Sequence, residues 1–421
     1  MLKKILLTVL SFIVVVAVLA AMLLLPVSAE ESSGTCSADG DRLSWTLNQN
    51  TGVLLVSGEG KMADYTKNGA PWMDNPRDIR TVVISEGVTR IGNSAFEGCT
   101  DLVTVSLPET LTDIGSNAFL GCNSIESITL PESLAVISSR AFANCDSLTA
   151  ITIPSDVTTI GDGAFAGCAM LESVKLPTTT KMTSIGSSAF FNCSSLTAIT
   201  LPVGLKSVSS SLLRGCTSLE RVRIPSGVEA IFEEAFWGCS VLEQVTIPDT
   251  VTTIGHSAFS NCSRLSQVTM PKNLKVLGDS VFMMCHSLSS ITIPSGVKAI
   301  PERAFASCGL TEITISDGLE SIGKYAFEDC SGLAGITLPE SLKSIGDGAF
   351  RECTALKTVY NYSELTVIKG STSNGSVAYY AEDLYGGTDP LPLKAFIPLI
   401  AVCSCIVLTV VTVSVVKKRR A

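Results

Sequence analysis

Twelve cysteines, at positions 99, 122, 145, 168, 193, 216, 239, 262, 285, 308, 330 and 353, stand 23 residues apart except for one interval of 25 and one of 22. Such a series marks internal repetition, which overrides the two or three globular domains that 421 residues would otherwise suggest. Aligned on the cysteines, the chain reads Leu-x-x-Ile-x-Ile-Pro-x-x-Val-x-x-Ile-Gly-x-x-Ala-Phe-x-x-Cys, as in Leu148, Ile151, Ile153, Pro154, Val157, Ile160, Gly161, Ala164, Phe165 and Cys168. A unit this short cannot bury its own apolar face. Stacked copies set Ile on Ile, Phe on Phe and Cys on Cys, so the core becomes continuous along a solenoid.

Each recurring position has a local reading. Ile151 and Ile153 are two apart, the spacing that puts both side chains on one face of a strand, with Thr152 on the other. Pro154 has no amide hydrogen to continue a ladder and ends the strand. Ile160, Ala164, Phe165 and Cys168 then fall at a spacing that predicts about two turns of helix with one buried face, and Gly161 supplies a tight turn between the two regimes. The expected class is α/β: about twelve repeats of short parallel strand, turn and short helical segment. With strands about 4.8 Å apart, the sheet would run on the order of 55 Å.

The Ala-Phe landmark stands at Ala95-Phe96, Ala118-Phe119, Ala141-Phe142, Ala164-Phe165, Ala189-Phe190, Ala235-Phe236, Ala258-Phe259, Ala304-Phe305, Ala326-Phe327 and Ala349-Phe350. With the Ile-Pro, Ile-Gly and Ala-Phe-x-x-Cys landmarks, this pattern resembles the BspA-like leucine-rich repeat family over residues 78 to 360. Departures are local: Leu212-Leu213 and Val281-Phe282 replace Ala-Phe, Ser85 and Ser316 replace Pro, and Thr178 to Thr183 holds a two-residue insertion. Residues 30–77, with Trp45, Trp72 and the run Val53 to Ser57, are expected to form a β-rich cap over the open solenoid end. Residues 361–394 are expected to close the other end and continue as a stalk.

The termini place the repeats outside a membrane. Residues 1–29 have the basic, apolar and small-residue parts of a secretory signal, with cleavage expected after Ala29; an uncleaved anchor is the alternative. Residues 395–416 are uncharged and apolar, long enough for a transmembrane helix, and residues 417–421 form a basic cytoplasmic tail. Leu391-Pro392-Leu393-Lys394-Ala395 begins like a cell-wall sorting pentapeptide but lacks its Thr-Gly, which favours membrane retention over release to the wall.

Between these segments lie 39 acidic and 24 basic residues, a formal charge of −15 that repels nucleic acid and anionic lipid. Regular repetition of the cysteines argues against a disulfide framework and for buried free thiols acting as small hydrophobes. No Cys-x-x-Cys pair and no suitably spaced histidine suggests a metal, and no cofactor motif is present. His256 and His286, the only histidines, lie beside repeat landmarks without a recognisable triad, and Glu233-Glu234 reads as a solvated turn. No enzyme is expected.

The outward strand position forms a second ladder: Thr129, Thr152, Thr200, Thr246, Thr269, Thr292, Thr314 and Thr337, broken by Ser106, Lys175 and Arg223. One reading is β-propensity with hydroxyl contacts between rungs. The other makes this face a ligand surface, with Thr152, Lys175, Thr200, Arg221, Arg223, Thr246 and Thr269 as binding residues and Glu172, Glu220 and Glu243 among them. The family resemblance implies a non-catalytic adhesion or interaction protein at the cell surface, whose partner is an extracellular protein, a host matrix component or another cell. A structural spacer would show no saturable partner. A carbohydrate-binding accessory protein would need exposed aromatic platforms, for which the 6% aromatic content is thin support.

Overall fold

The computed structural model describes residues 31–38, 40–74 and 76–386. The expected signal segment, transmembrane span and basic tail lie outside these residues. Among the described residues no helix is long and apolar enough to cross a membrane.

The chain winds as a β-solenoid of about thirteen turns, and each turn contributes two short strands to two parallel ladders. In one ladder Ile151 pairs with Val174 and Ile199 with Val222; in the other Ile137, Ile160 and Ile185 lie in register. The alternation of branched and small polar residues makes the first strand, with Ile151 buried and Thr152 exposed. Its last ladder bond runs from the Ile153 amide to the Lys175 carbonyl, and Pro154 stops it; the Pro154 carbonyl then accepts the Val157 amide in a turn. Where Ser85 and Ser316 replace this proline, the serine amide adds a further ladder bond, to Val56 and Ile293.

The expected helical segment is not a helix. Ile160 belongs to the second strand, Thr159–Ile160, and the stretch through Ala164, Phe165 and Cys168 is a run of stacked turns. Its backbone shows why. In the equivalent stretch of the preceding turn, Arg140 and Asn144 have φ of 54° and 55°. Left-handed residues at that spacing break the i to i−4 pattern. The Phe142 and Asn144 amides donate instead to Ala164 and Ala166 in the next turn, at 2.8 and 2.7 Å, while Ala143 and Cys145 close four-residue turns. Rung-to-rung bonding replaces helical bonding.

Gly161 also has a different role from the one expected. Its φ is not positive; a Cβ there would lie 2.4 Å from the Ser139 amide nitrogen and 2.7 Å from the Ser138 carbonyl carbon. The glycine permits close approach of two turns rather than a tight bend within one.

The core is a set of columns. Rings stack at centroid separations of 5.2 to 5.6 Å from Phe96 through Phe119, Phe142 and Phe165 to Phe190. Leu213 interrupts the column, which resumes from Phe236 to Phe350 at 5.0 to 5.7 Å. Each fully buried ring contributes roughly 1.5–3 kcal/mol of burial free energy. Beside this column run the cysteines. All thirteen described cysteines are free and buried, and from Cys122 to Cys353 each thiol donates to the carbonyl three residues before the cysteine of the preceding turn.

Both ends are covered. At the N-terminal end, β1 (Glu31–Thr35), β2 (Arg42–Asn48) and β3 (Val53–Lys61) form an antiparallel meander. The long β3 seeds both ladders, pairing in parallel with β4 (Thr81–Ile84) and β5 (Val88–Ile91). Trp72 stacks on Phe96 at 5.6 Å and donates its indole N–H to the Ala95 carbonyl at 2.9 Å. At the other end the Phe350 amide donates to Gly375, Val377 and Ala378 are buried, and the strand Asp383–Gly386 adds a last rung beside Thr358–Asn361.

Candidate functional site

The outward face of the first ladder carries the sequence-predicted residues. Strands Ala150–Thr152, Ser173–Lys175, Ala198–Thr200 and Arg221–Arg223 form one four-stranded parallel sheet, and Gln244–Thr246 with Gln267–Thr269 form a two-stranded one. Thr152 is in register with Lys175, Thr200 with Arg223, and Thr246 with Thr269. All seven candidate residues are exposed. Lys175, Thr200 and Arg223 therefore occupy successive turns, with Arg221 on the same strand and face as Arg223. The flanking Ala198 and Thr200 are short, so the long cationic side chains stand on either side of a low central strand.

The charges of this patch are largely uncommitted. Arg221 approaches Glu220 at 3.8 Å with both side chains mostly exposed, a pairing of small energetic weight. Lys175 and Arg223 have no ion-pair partner among the described residues. Thr246 and Thr269 extend the same column beyond the cations, next to the adjacent pair Gln244 and Gln267.

Hydroxyl contacts between turns occur, but in other columns. Thr149 Oγ1 donates to the Glu126 carbonyl, Thr197 to Glu172 and Ser266 to Glu243, at 3.1 to 3.4 Å. Among the described residues the outward threonines Thr152, Thr200, Thr246 and Thr269 have no side-chain hydrogen-bond partner. Their hydroxyls are left for solvent or a ligand.

The remaining candidates separate. The His256 ring lies 3.1 Å from the adjacent Ser257 hydroxyl, and His286 is exposed. Glu234 is not the solvated turn residue expected: it accepts from Ser211 at 3.2 Å and pairs with Arg214. The Arg214 guanidinium lies 4.8 Å from the Trp237 ring and 5.8 Å from Phe191, on the turn side of the solenoid. No group of three or more potential metal ligands is assembled among the described residues.

Two features of the face escaped sequence reasoning. Beyond Thr269 the strand pairing lapses between Gln267–Thr269 and Ser290–Ile293, and a trough of about 650 Å³ opens over Thr269, Lys272, Ser290, Thr292, Glu312 and Thr314. Farther along, Tyr360 and Tyr385 take the outward position in register, with rings stacked at 5.2 Å and 18°. The concentration of tyrosine near the C-terminal end was the available signal, but the pairing of those two depended on strand register.

The sequence matches the BspA type leucine rich repeat region (6 copies) over residues 74–184, 171–289 and 275–376. Among solved structures the chain is similar to a leucine-rich repeat protein from Bacteroides ovatus, 28% identical, with a TM-score of 0.65 over 83% of this chain and 90% of that one. A leucine-rich repeat protein from Eubacterium ventriosum, 24% identical, shares the fold with a TM-score of 0.52 over 82% of this chain and 99% of that one. No curated protein matches the sequence significantly.

Proposed function

The chain belongs to the BspA-type leucine-rich repeat family, and from that premise we propose that it is a non-catalytic cell-surface protein whose parallel-sheet face binds an extracellular protein. The observation that carries this reading is the exposed cluster of Lys175, Arg221 and Arg223 on one sheet, in a region of formal charge −15. In so acidic a surface, three adjacent cations select for a partner with a local acidic patch, and the net charge repels an extended polyanion. The partner is a matrix component or a protein of another cell. Residues 395–416 would hold the repeats at the membrane with the basic tail inside; sorting to the cell wall is the competing mode of attachment.

The full chain should bind one or more proteins in a panel of extracellular-matrix and cell-surface proteins, in a saturable manner by surface plasmon resonance. Combined replacement of Lys175, Arg221 and Arg223 by alanine should weaken that binding at least about tenfold, the scale of a lost hot spot, while the melting temperature stays nearly constant. Unaltered binding would rule the patch out.

A further inference from the structure

We propose that the C-terminal third of the sheet face is a second site, which binds a neutral oligosaccharide, with Tyr360 as stacking platform and the trough over Thr292 and Thr314 as the polar subsite. This goes beyond the protein-binding reading and does not depend on the cationic patch.

The platform follows from the strand register. Five of the seven tyrosines of the chain stand at 360, 362, 379, 380 and 385. Tyr360 continues the outward column directly after Thr337, and Tyr385 follows it, each pair in register. The two rings are nearly parallel at 5.2 Å, close to the spacing of the strands that carry them, so their planes stand across the ladder. Tyr385 braces one face of Tyr360. The other face looks along the ladder over Thr337 and over Gly335, which has no side chain. A flat aromatic wall above a low floor is what the apolar C–H face of a pyranose packs against.

The trough supplies the other half of sugar chemistry. Thr292 and Thr314 are adjacent in register. Together with Thr337 they have no side-chain hydrogen-bond partner among the described residues, and each is exposed. Ser290 and the Glu312 carboxylate line the same depression, and both are exposed. Hydroxyl donors and acceptors with one carboxylate are the groups that orient vicinal hydroxyls in a binding cleft. From Thr314 to Tyr360 is two turns, about 10 Å at the usual strand spacing, which calls for an oligosaccharide rather than a single sugar.

Charge decides for a neutral ligand. Glu312 and the exposed Asp383 face this region. Lys272, the cation lining the trough, lies 3.4 Å from Asp249, and Lys357, beside Asp383, pairs with Glu382 at 3.1 Å. A sulfated or sialylated chain would meet uncompensated carboxylates.

The test uses the full chain in a zwitterionic detergent, because glycoside detergents present sugar. Cellohexaose, chitohexaose, maltohexaose and mannohexaose are titrated by calorimetry, alongside a sulfated hexaose and a polyglutamate peptide. At least one neutral hexaose should bind, and both Tyr360→Ala and Thr314→Trp should weaken it about tenfold or more, a typical anchor effect. Thr314 is exposed, so the tryptophan blocks the trough without entering the core and serves if Tyr360→Ala misfolds. Replacement of Lys175, Arg221 and Arg223 should leave sugar binding unchanged, which separates this site from the protein-binding face. The proposal is overturned if none of the neutral hexaoses binds, if only the anionic probes bind, or if binding survives Thr314→Trp.

Discussion

The thiol of Cys145 donates a hydrogen bond of 3.3 Å to the carbonyl oxygen of Phe119 in the preceding turn. The same bond recurs along the solenoid and gives each cysteine two roles. It fills a small apolar slot, and its buried S–H finds an acceptor in a carbonyl that also takes a backbone amide, as the Phe119 carbonyl takes that of Cys122 at 3.2 Å.

Burial, the leading influence, pushes the thiols of Cys168, Cys216, Cys262 and Cys353 from 9.0 up to about 12. The folded state therefore holds these protons more tightly than the unfolded chain. The stability so contributed is complete below pH 9 and is lost as pH rises toward 12. Thermal melts should hold steady from pH 7 to about 9 and fall above it, toward 12. A flat profile to pH 11 would contradict the thiol ladder.

At pH 8 a thiol-specific reagent should leave the thirteen described cysteines unmodified in the native protein and modify them all in denaturant. Absence of titratable thiols in denaturant would mean that they are oxidised.

Phe259 lies between Phe236 at 5.0 Å and Phe282 at 5.4 Å. Phe259→Ala should cost about 3–5 kcal/mol, from lost burial and the cavity left between two rings that cannot close on each other. Urea denaturation measures it, and a loss below about 1 kcal/mol, an ordinary surface effect, would show that the column is not the core.

Gly161→Ala should destabilise by about 1–3 kcal/mol, because its Cβ meets backbone of the adjacent turn. Asn144→Gly should be close to neutral, within about 0.5 kcal/mol, since Gly98, Gly121 and Gly167 hold the same left-handed position in neighbouring turns. Reversal of that order would assign the conformational demand to the wrong residue.

Trp72→Phe keeps a ring over Phe96 and removes the bond to the Ala95 carbonyl, at a cost of about 1 kcal/mol. Trp72→Ala opens the end of the column and should cost about 3–5 kcal/mol. Equal losses would show that the hydrogen bond alone matters.

Protein binding at Lys175, Arg221 and Arg223 should fall as salt is raised from about 0.05 to 0.5 M, and sugar binding at Tyr360 should not, because screening acts on charges. Parallel titrations of one preparation compare the two directly.

Much of this architecture was legible in the chain. Cysteine spacing determined the turn length and the columns, since residues at equal offsets must stack when each unit buries its face on the next. Alternation at Ile151, Thr152 and Ile153 determined which residues point inward, and the exposed positions of Lys175, Arg221 and Arg223 follow from the same period. The helical reading of Ile160 to Cys168 failed because side-chain spacing records which positions are apolar and not where backbone amides go. In the equivalent stretch of the preceding turn, left-handed Arg140 and Asn144 direct the amides to the neighbouring turn. Arginine at such a position carries no local signal. The trough and the Tyr360–Tyr385 wall belong wholly to the tertiary structure. The trough opens where strand pairing lapses, and the wall forms because the closing strand Asp383–Gly386 joins the ladder in the one register that brings two distant rings face to face.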